Sequence, residues 1–131
     1  MTTLSSATNA LAALKGQQFI NLTTFRKTGV AVTTPVSFAE VDGRLLGTTQ
    51  PQAGKLKRIR NNPRVTFGPC TYNGKALGDT AEGRARVLPP EEHAAADRAL
   101  RRKYGLQYIL LVGMQRLRGA RQAAYWEVVP A

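Results

Sequence analysis

Glycine-centred turn signals cut much of this chain into short β-forming runs, and that spacing limits the fold more than any other feature. Arg26-Lys27-Thr28-Gly29, Asp42-Gly43 and Asn73-Gly74 are such signals. An Asp-Gly or Asn-Gly pair suits a tight hairpin because Gly, Asn and Asp reach positive φ at little steric cost. Around them, Phe19–Phe25, Val30–Val41, Arg44–Thr49, Arg64–Tyr72 and Asp79–Val87 read as strands, with Gln122–Val129 (QAAYWEVV) as a sixth. Pro35 inside the second run offers no N–H to a ladder, so it marks an edge, a bulge or an interruption.

Helices are fewer. Leu4, Ala7, Leu11 and Leu14 recur at helical spacing, with Thr3 placed to cap them and Gly16 to end them. Leu56 and Ile59 predict a short basic helix over Ala53–Asn61, stopped by Pro63. Pro89-Pro90-Glu91-Glu92 starts a helix well, since proline and carboxylates suit a first turn; it runs to about Tyr104 and ends at Gly105. Leu106–Leu117 reads as a further helix. Without repeats or a linker, residues 1–131 read as one domain, with 1–16 as an N-terminal helix. Six strands with few helices predict a mainly β protein: a closed or nearly closed antiparallel barrel with helices at its rims.

Several classes of function drop out. A single cysteine, Cys70, makes no intrachain disulfide and no thiolate metal site, and His93 is the one histidine. No metal site is expected. No apolar run is long enough to span a membrane. The N-terminus lacks the basic region of a signal peptide, so the expected compartment is the cytoplasm. Nineteen Lys and Arg against eight Asp and Glu give a formal +11, which asks for an anionic partner: nucleic acid, a membrane surface or a polyanionic ligand.

Gly54-Lys55-Leu56-Lys57-Arg58-Ile59-Arg60, with Arg64 beyond, is the densest cationic stretch. Lys55 stands in the first turn of a short helix, where free N–H groups and the helix dipole favour phosphate. Gly54 permits close backbone approach, and Thr48 and Thr49 end the preceding strand as hydroxyl donors. The stretch is either a phosphate cradle or a solvated basic face. Thr33-Thr34-Pro35-Val36 has the same two-sided reading: an edge-strand proline, or backbone groups freed to meet a flat heteroaromatic ring. Glu91, Glu92 and His93 read as helix-start chemistry, Cys70 as a buried small side chain, Arg98, Arg101, Arg102 and Lys103 as a charged helix surface, and Trp126 as core or interface. No dinucleotide, Walker, zinc-protease or serine-hydrolase motif is present.

The ordered set is more specific than its parts. Phe19-Ile-Asn-Leu-Thr-Thr-Phe-Arg-Lys-Thr-Gly is followed by Thr-Thr-Pro-Val-Ser-Phe, Ala-Gly-Lys-Leu-Lys-Arg-Ile-Arg-Asn-Asn-Pro-Arg-Val, Gly-Pro-Cys, Glu-Gly-Arg-Ala-Arg and Arg-Lys-Tyr-Gly-Leu-Gln. Over about residues 17–129 this resembles the split β-barrel family of pyridoxamine-phosphate-oxidase-like proteins, in its branch of oxidoreductases dependent on the deazaflavin coenzyme F420. The resemblance implies a homodimer of six-stranded split barrels with the cofactor in a groove at the interface. It sets Thr34, Pro35 and Val36 against the deazaflavin ring. Thr48, Thr49, Lys55, Lys57 and Arg60 fall on the phosphate side, with Gly54 before the basic helix and Asn62-Pro63 matching after it. Ser37 departs from the pattern, where a bulky aromatic often stands, and that bears on the substrate pocket.

The implied activity is hydride transfer between reduced deazaflavin and a small organic acceptor, chemistry that the cofactor carries and the protein orients. Tyr72, Tyr104, Tyr108 or solvent would supply a proton. FMN in the same groove is the nearest alternative. A cofactor-shielding protein without turnover is another. A basic nucleic-acid module rests on charge alone, with no aromatic interleaving, so nucleic acid is not the expected partner. Seven Lys and Arg between Asp97 and Glu127, with no acid among them, form a second cationic excess.

Overall fold

The computed structural model describes residues 6–108 and 123–131. The elements run α1 (Ser6–Ala13), β1 (Phe19–Phe25), β2 (Ala31–Ser37), β3 (Ala39–Val41), β4 (Arg44–Thr49), α2 (Gly54–Asn61), β5 (Arg64–Cys70), β6 (Ala81–Val87), α3 (His93–Tyr104) and β7 (Ala124–Pro130), with one 3₁₀ turn at Pro90–Glu92. Most of the expected Leu106–Leu117 helix, the Thr3 cap and part of the second cationic excess lie outside the described residues.

All seven strands join one antiparallel sheet in the order β2-β1-β5-β6-β7-β4-β3. The expected count was six. The difference is the run Val30–Val41, which breaks at Phe38 into β2 and β3. These two strands are neighbours in the chain yet stand at opposite ends of the sheet order. One intervening residue spans only a few ångströms, so the sheet must curl until its ends approach. The result is the mainly β half-barrel with flanking helices that the split-barrel class describes.

Alternation along the strands fills the interior. Ile20, Leu22 and Thr24 point inward from β1, and they meet Val36, Phe38, Leu45, Val65, Phe67, Trp126 and Val128. Leu56 and Ile59 of α2 plug the same core. Arg58 of that helix donates from Nε to the buried Thr24 Oγ1 at 2.6 Å, so one member of the basic stretch serves the interior. β4 and β7 are covered on both faces. Leu45 and Trp126 face the barrel, while Leu46 and Tyr125 face a second cluster with Leu88, Ala96 and Leu100 under α3. The adjacent leucines of β4 therefore do not mark an exposed apolar residue. Glu127 on β7 is buried but receives Arg44 at 2.7 Å and Arg86 at 2.9 Å.

The turns follow their chemistry. Asp42 and Gly43 take φ of 51° and 81°, the pair of left-handed residues that a two-residue hairpin between β3 and β4 requires. Gly105 ends α3 at φ 58°, with its N–H bonded to Arg101 O.

Candidate functional site

A cleft of about 850 Å³ opens beside the place where β2 leaves the sheet, within the size range of small-molecule sites. β2 is an end strand, paired only with β1, so its outer row of backbone groups has no ladder partner among the described residues. Pro35, Val36 and Ser37 form this wall. Opposite it, Leu100, Tyr104 and Tyr108 come from α3 and the residues just after it, and Phe19 from the start of β1. These side chains give the cleft an apolar and partly aromatic part of its lining.

The rest of the lining is mostly polar. Thr48 and Thr49 close β4, Gln50 follows, and Ala53 and Lys55 begin α2. No side chain caps α2; of its first-turn N–H groups, that of Leu56 bonds to Ala53 O at 3.1 Å. Lys55 is the one charged side chain among the cleft's described lining residues. Burial, then the neighbouring Arg58 cation, holds its amine below the ordinary lysine value. A half-buried cation without a carboxylate partner gains most from an anion brought to it. An anionic group beside Lys55 and a flat apolar body against Pro35 and Tyr104 is therefore the ligand shape this cleft accommodates. Thr48 already donates its hydroxyl to Ala124 O at 3.0 Å, which leaves its oxygen as a fixed polar group rather than a free rotor.

Five of the ten candidate binding residues meet in this cleft: Pro35, Val36, Thr48, Thr49 and Lys55. The other five lie outside its lining. Thr34 lies further along β2, on the same face as Val36 but beyond the cleft lining, and Gly54 is exposed, facing the Arg58 side chain. Lys57 and Arg60 are exposed on α2, on the side away from buried Leu56 and Ile59. Asn62 accepts the Arg64 N–H at 3.1 Å, a local bond that shapes the α2–β5 connection.

Sequence reasoning named Tyr104 and Tyr108 only as proton donors, and it missed Gln18, Phe19, Leu100 and Gln107 altogether. Nothing in the local pattern of α3 marks which face meets β2; only the packing decides it. The tyrosine hydroxyls are engaged. Tyr104 Oη accepts the Phe38 N–H at 2.9 Å and lies 2.6 Å from Gln18 O and 2.9 Å from Phe38 O, to either of which it can donate. Burial pushes its ionisation up despite these bonds. Tyr108 donates to Asp97 Oδ1 at 2.7 Å, and burial followed by that carboxylate pushes its hydroxyl far up. Tyr72 is 76% exposed and outside the cleft. Among the described residues no three His, Cys, Asp or Glu side chains form a metal-binding group, and no helix is long and apolar enough to cross a membrane.

A family model described as pyridoxamine 5'-phosphate oxidase matches residues 7–131. Among solved structures, a conserved hypothetical protein from Mycobacterium tuberculosis aligns with TM-score 0.68 and 20% identity, over 98% of this chain and 81% of that one. A FAD-binding protein from Mesorhizobium loti aligns with TM-score 0.64 and 17% identity, over 96% and 88% of the two chains. The heme storage protein HutZ from Vibrio cholerae aligns with TM-score 0.67 and 11% identity, over 95% and 89%. At these identities the likeness carries the fold. No curated protein matches the chain in sequence.

Proposed function

Because the chain belongs to the pyridoxamine 5'-phosphate oxidase family, we propose that its cleft binds a flavin-type cofactor, and that this cofactor is coenzyme F420. The observation that carries the reading is a lining that combines Phe19, Pro35, Val36, Leu100 and Tyr104 with Thr48, Thr49 and a single charge, Lys55. Lys55, Thr49 and the first turn of α2 would hold the cofactor's phosphate, and the β2 wall would meet its ring. The F420 branch is supported by the ordered sequence motifs, Thr-Thr-Pro-Val-Ser-Phe and the basic helix above all. FMN in the same cleft is the second reading, favoured by the likeness to a FAD-binding protein.

When bound, deazaflavin supplies a hydride-carrying ring carbon for exchange with a small organic acceptor. The protein's part is orientation and exclusion of water. Pro35, Val36 and Ser37 present an end-strand backbone to the ring, while Tyr104 and Leu100 close the opposite side. With Tyr104 and Tyr108 bonded to Phe38, Gln18 and Asp97, the acceptor takes its proton from solvent. Ser37, which lines the cleft, stands where the branch often carries a bulky aromatic, and that difference bears on the shape of the acceptor pocket. In keeping with the resemblance, the working unit is a homodimer whose second copy covers the groove.

The nucleic-acid reading has lost much of its cationic footprint. Arg58 is bonded to Thr24 and Arg64 to Glu82, which leaves Lys57 and Arg60 as the freely exposed cations of that run. Parallel fluorescence titrations with F420 and FMN separate the two cofactor readings. Micromolar F420 binding with weaker FMN supports the first; FMN binding alone replaces it. Anaerobic reoxidation of reduced F420 by a panel of enones and quinones then distinguishes an enzyme from a cofactor-shielding protein.

A further inference from the structure

A second concavity, of about 760 Å³, lies on a different face of α3 from the cofactor cleft. Ala95, Ala99 and Arg102 with Lys103 recur there at helical spacing, whereas Leu100 and Tyr104 turn to the first cleft. Its floor is apolar: Leu14, Phe38, Leu46 and Ala99. Its rim is cationic, with Lys15, Arg98, Arg102 and Lys103, none of which takes an ion pair among the described residues. Arg44 also lines it, but that guanidinium is held by Glu127. Glu40 and Asp42 are the two acids present.

Lys103 is the centre of this arrangement. Its Nζ sits 3.4 Å from the centroid of the Phe38 ring and 5.1 Å from that of Tyr104. The aromatic faces recover part of the hydration the ammonium has lost. Burial nevertheless pushes the amine down to about 8. The site therefore combines an apolar floor with a half-desolvated cation without a counter-ion, on a rim where cations outnumber the two acids.

We propose that this concavity binds an amphipathic carboxylate, with its apolar body on Phe38 and Leu46 and its single anionic head on Lys103. The apolar floor selects a body of aromatic or aliphatic carbon, and the unpaired Lys103 cation selects the carboxylate head. Such a ligand is distinct from the cofactor proposed for the first cleft, and the two sites share only the Phe38–Tyr104 wall.

The test is a titration of uniformly ¹⁵N-labelled protein with 1-naphthoate, alongside its uncharged twin 1-naphthalenemethanol. Saturable shifts are expected at the Phe38, Ala99 and Lys103 amides, in the wild type and in Lys55→Ala alike. Lys103→Met keeps an unbranched apolar stem against Phe38 and should weaken naphthoate about ten-fold or more. The uncharged twin should bind the wild type weakly. Shifts confined to residues 35–37 and 48–55 would overturn the proposal, as would equal naphthoate affinity in Lys103→Met. Equal binding of the two twins to the wild type overturns it without any variant.

Discussion

Gly47 and Trp126 meet so closely that the strand position admits no side chain. A Cβ at Gly47 would lie 1.9 Å from Trp126 Cζ2, and the indole is fully buried. Gly47→Ala should therefore cost stability at or above the upper end of about 1–3 kcal/mol, measured by urea unfolding, because the ring has no space to retreat. Lys103 makes the opposite prediction. Its amine is lowered to about 8 in the fold against an ordinary value of 10.5, so the folded state binds fewer protons between those values and this group's contribution to stability rises with pH. Lys103→Met should be more stable than the wild type below pH 8, and the gap should shrink as pH rises towards 10.5; a gap that is constant across urea midpoints at pH 7 and pH 10 would contradict it. Residue roles were the least legible part of the sequence. The place of Lys55 at the cleft was legible because a helix start, a preceding Thr-Thr and a cation coincide in the chain. Arg58, one turn on and chemically similar, serves Thr24 in the interior instead. Tyr104 was visible only as a tyrosine, since its partners Gln18 and Phe38 are far away in sequence.

Elements were read more faithfully than residues. The Gly-containing turns, the basic helix and the Pro-Glu-Glu helix start were legible because each rests on short-range chemistry. The break at Phe38 was not, because the one interruption visible in Val30–Val41 is Pro35, which stays within β2, and only the closing of the sheet divides the run at Phe38. Tyr104 holds that corner from α3 through bonds to Phe38 and Gln18. Tyr104→Phe removes those bonds while keeping the ring, and should destabilise the fold by about 1–3 kcal/mol. It should also weaken cofactor binding, because Pro35, Val36 and Ser37 lie just before the released corner. Loss of stability with unchanged cofactor affinity would show that the corner does not position the cleft.

At the scale of the whole molecule, the surplus of positive charge has been divided among several tasks. Arg44, Arg64, Arg86 and Arg101 are held in ion pairs with Glu127, Glu82, Glu92 and Asp97. Lys55 enters one cleft, and Lys103 with Arg98 and Arg102 rims another. Net charge alone pointed to an anion without saying which; the barrel sorts the cations by what surrounds them. The fold class was legible because strand spacing and turn chemistry are local, whereas the meeting of β2, β4, α2 and α3 at one cleft depends on sheet closure. The most direct measurement is the dissociation constant of F420 for the wild type and Lys55→Ala, taken side by side by fluorescence polarisation. Micromolar binding that weakens by about 1.5–3 kcal/mol on removing Lys55 is the predicted result. Absence of F420 binding to the folded wild type, or equal affinity in the two proteins, would contradict the placement of a cofactor phosphate at the head of α2.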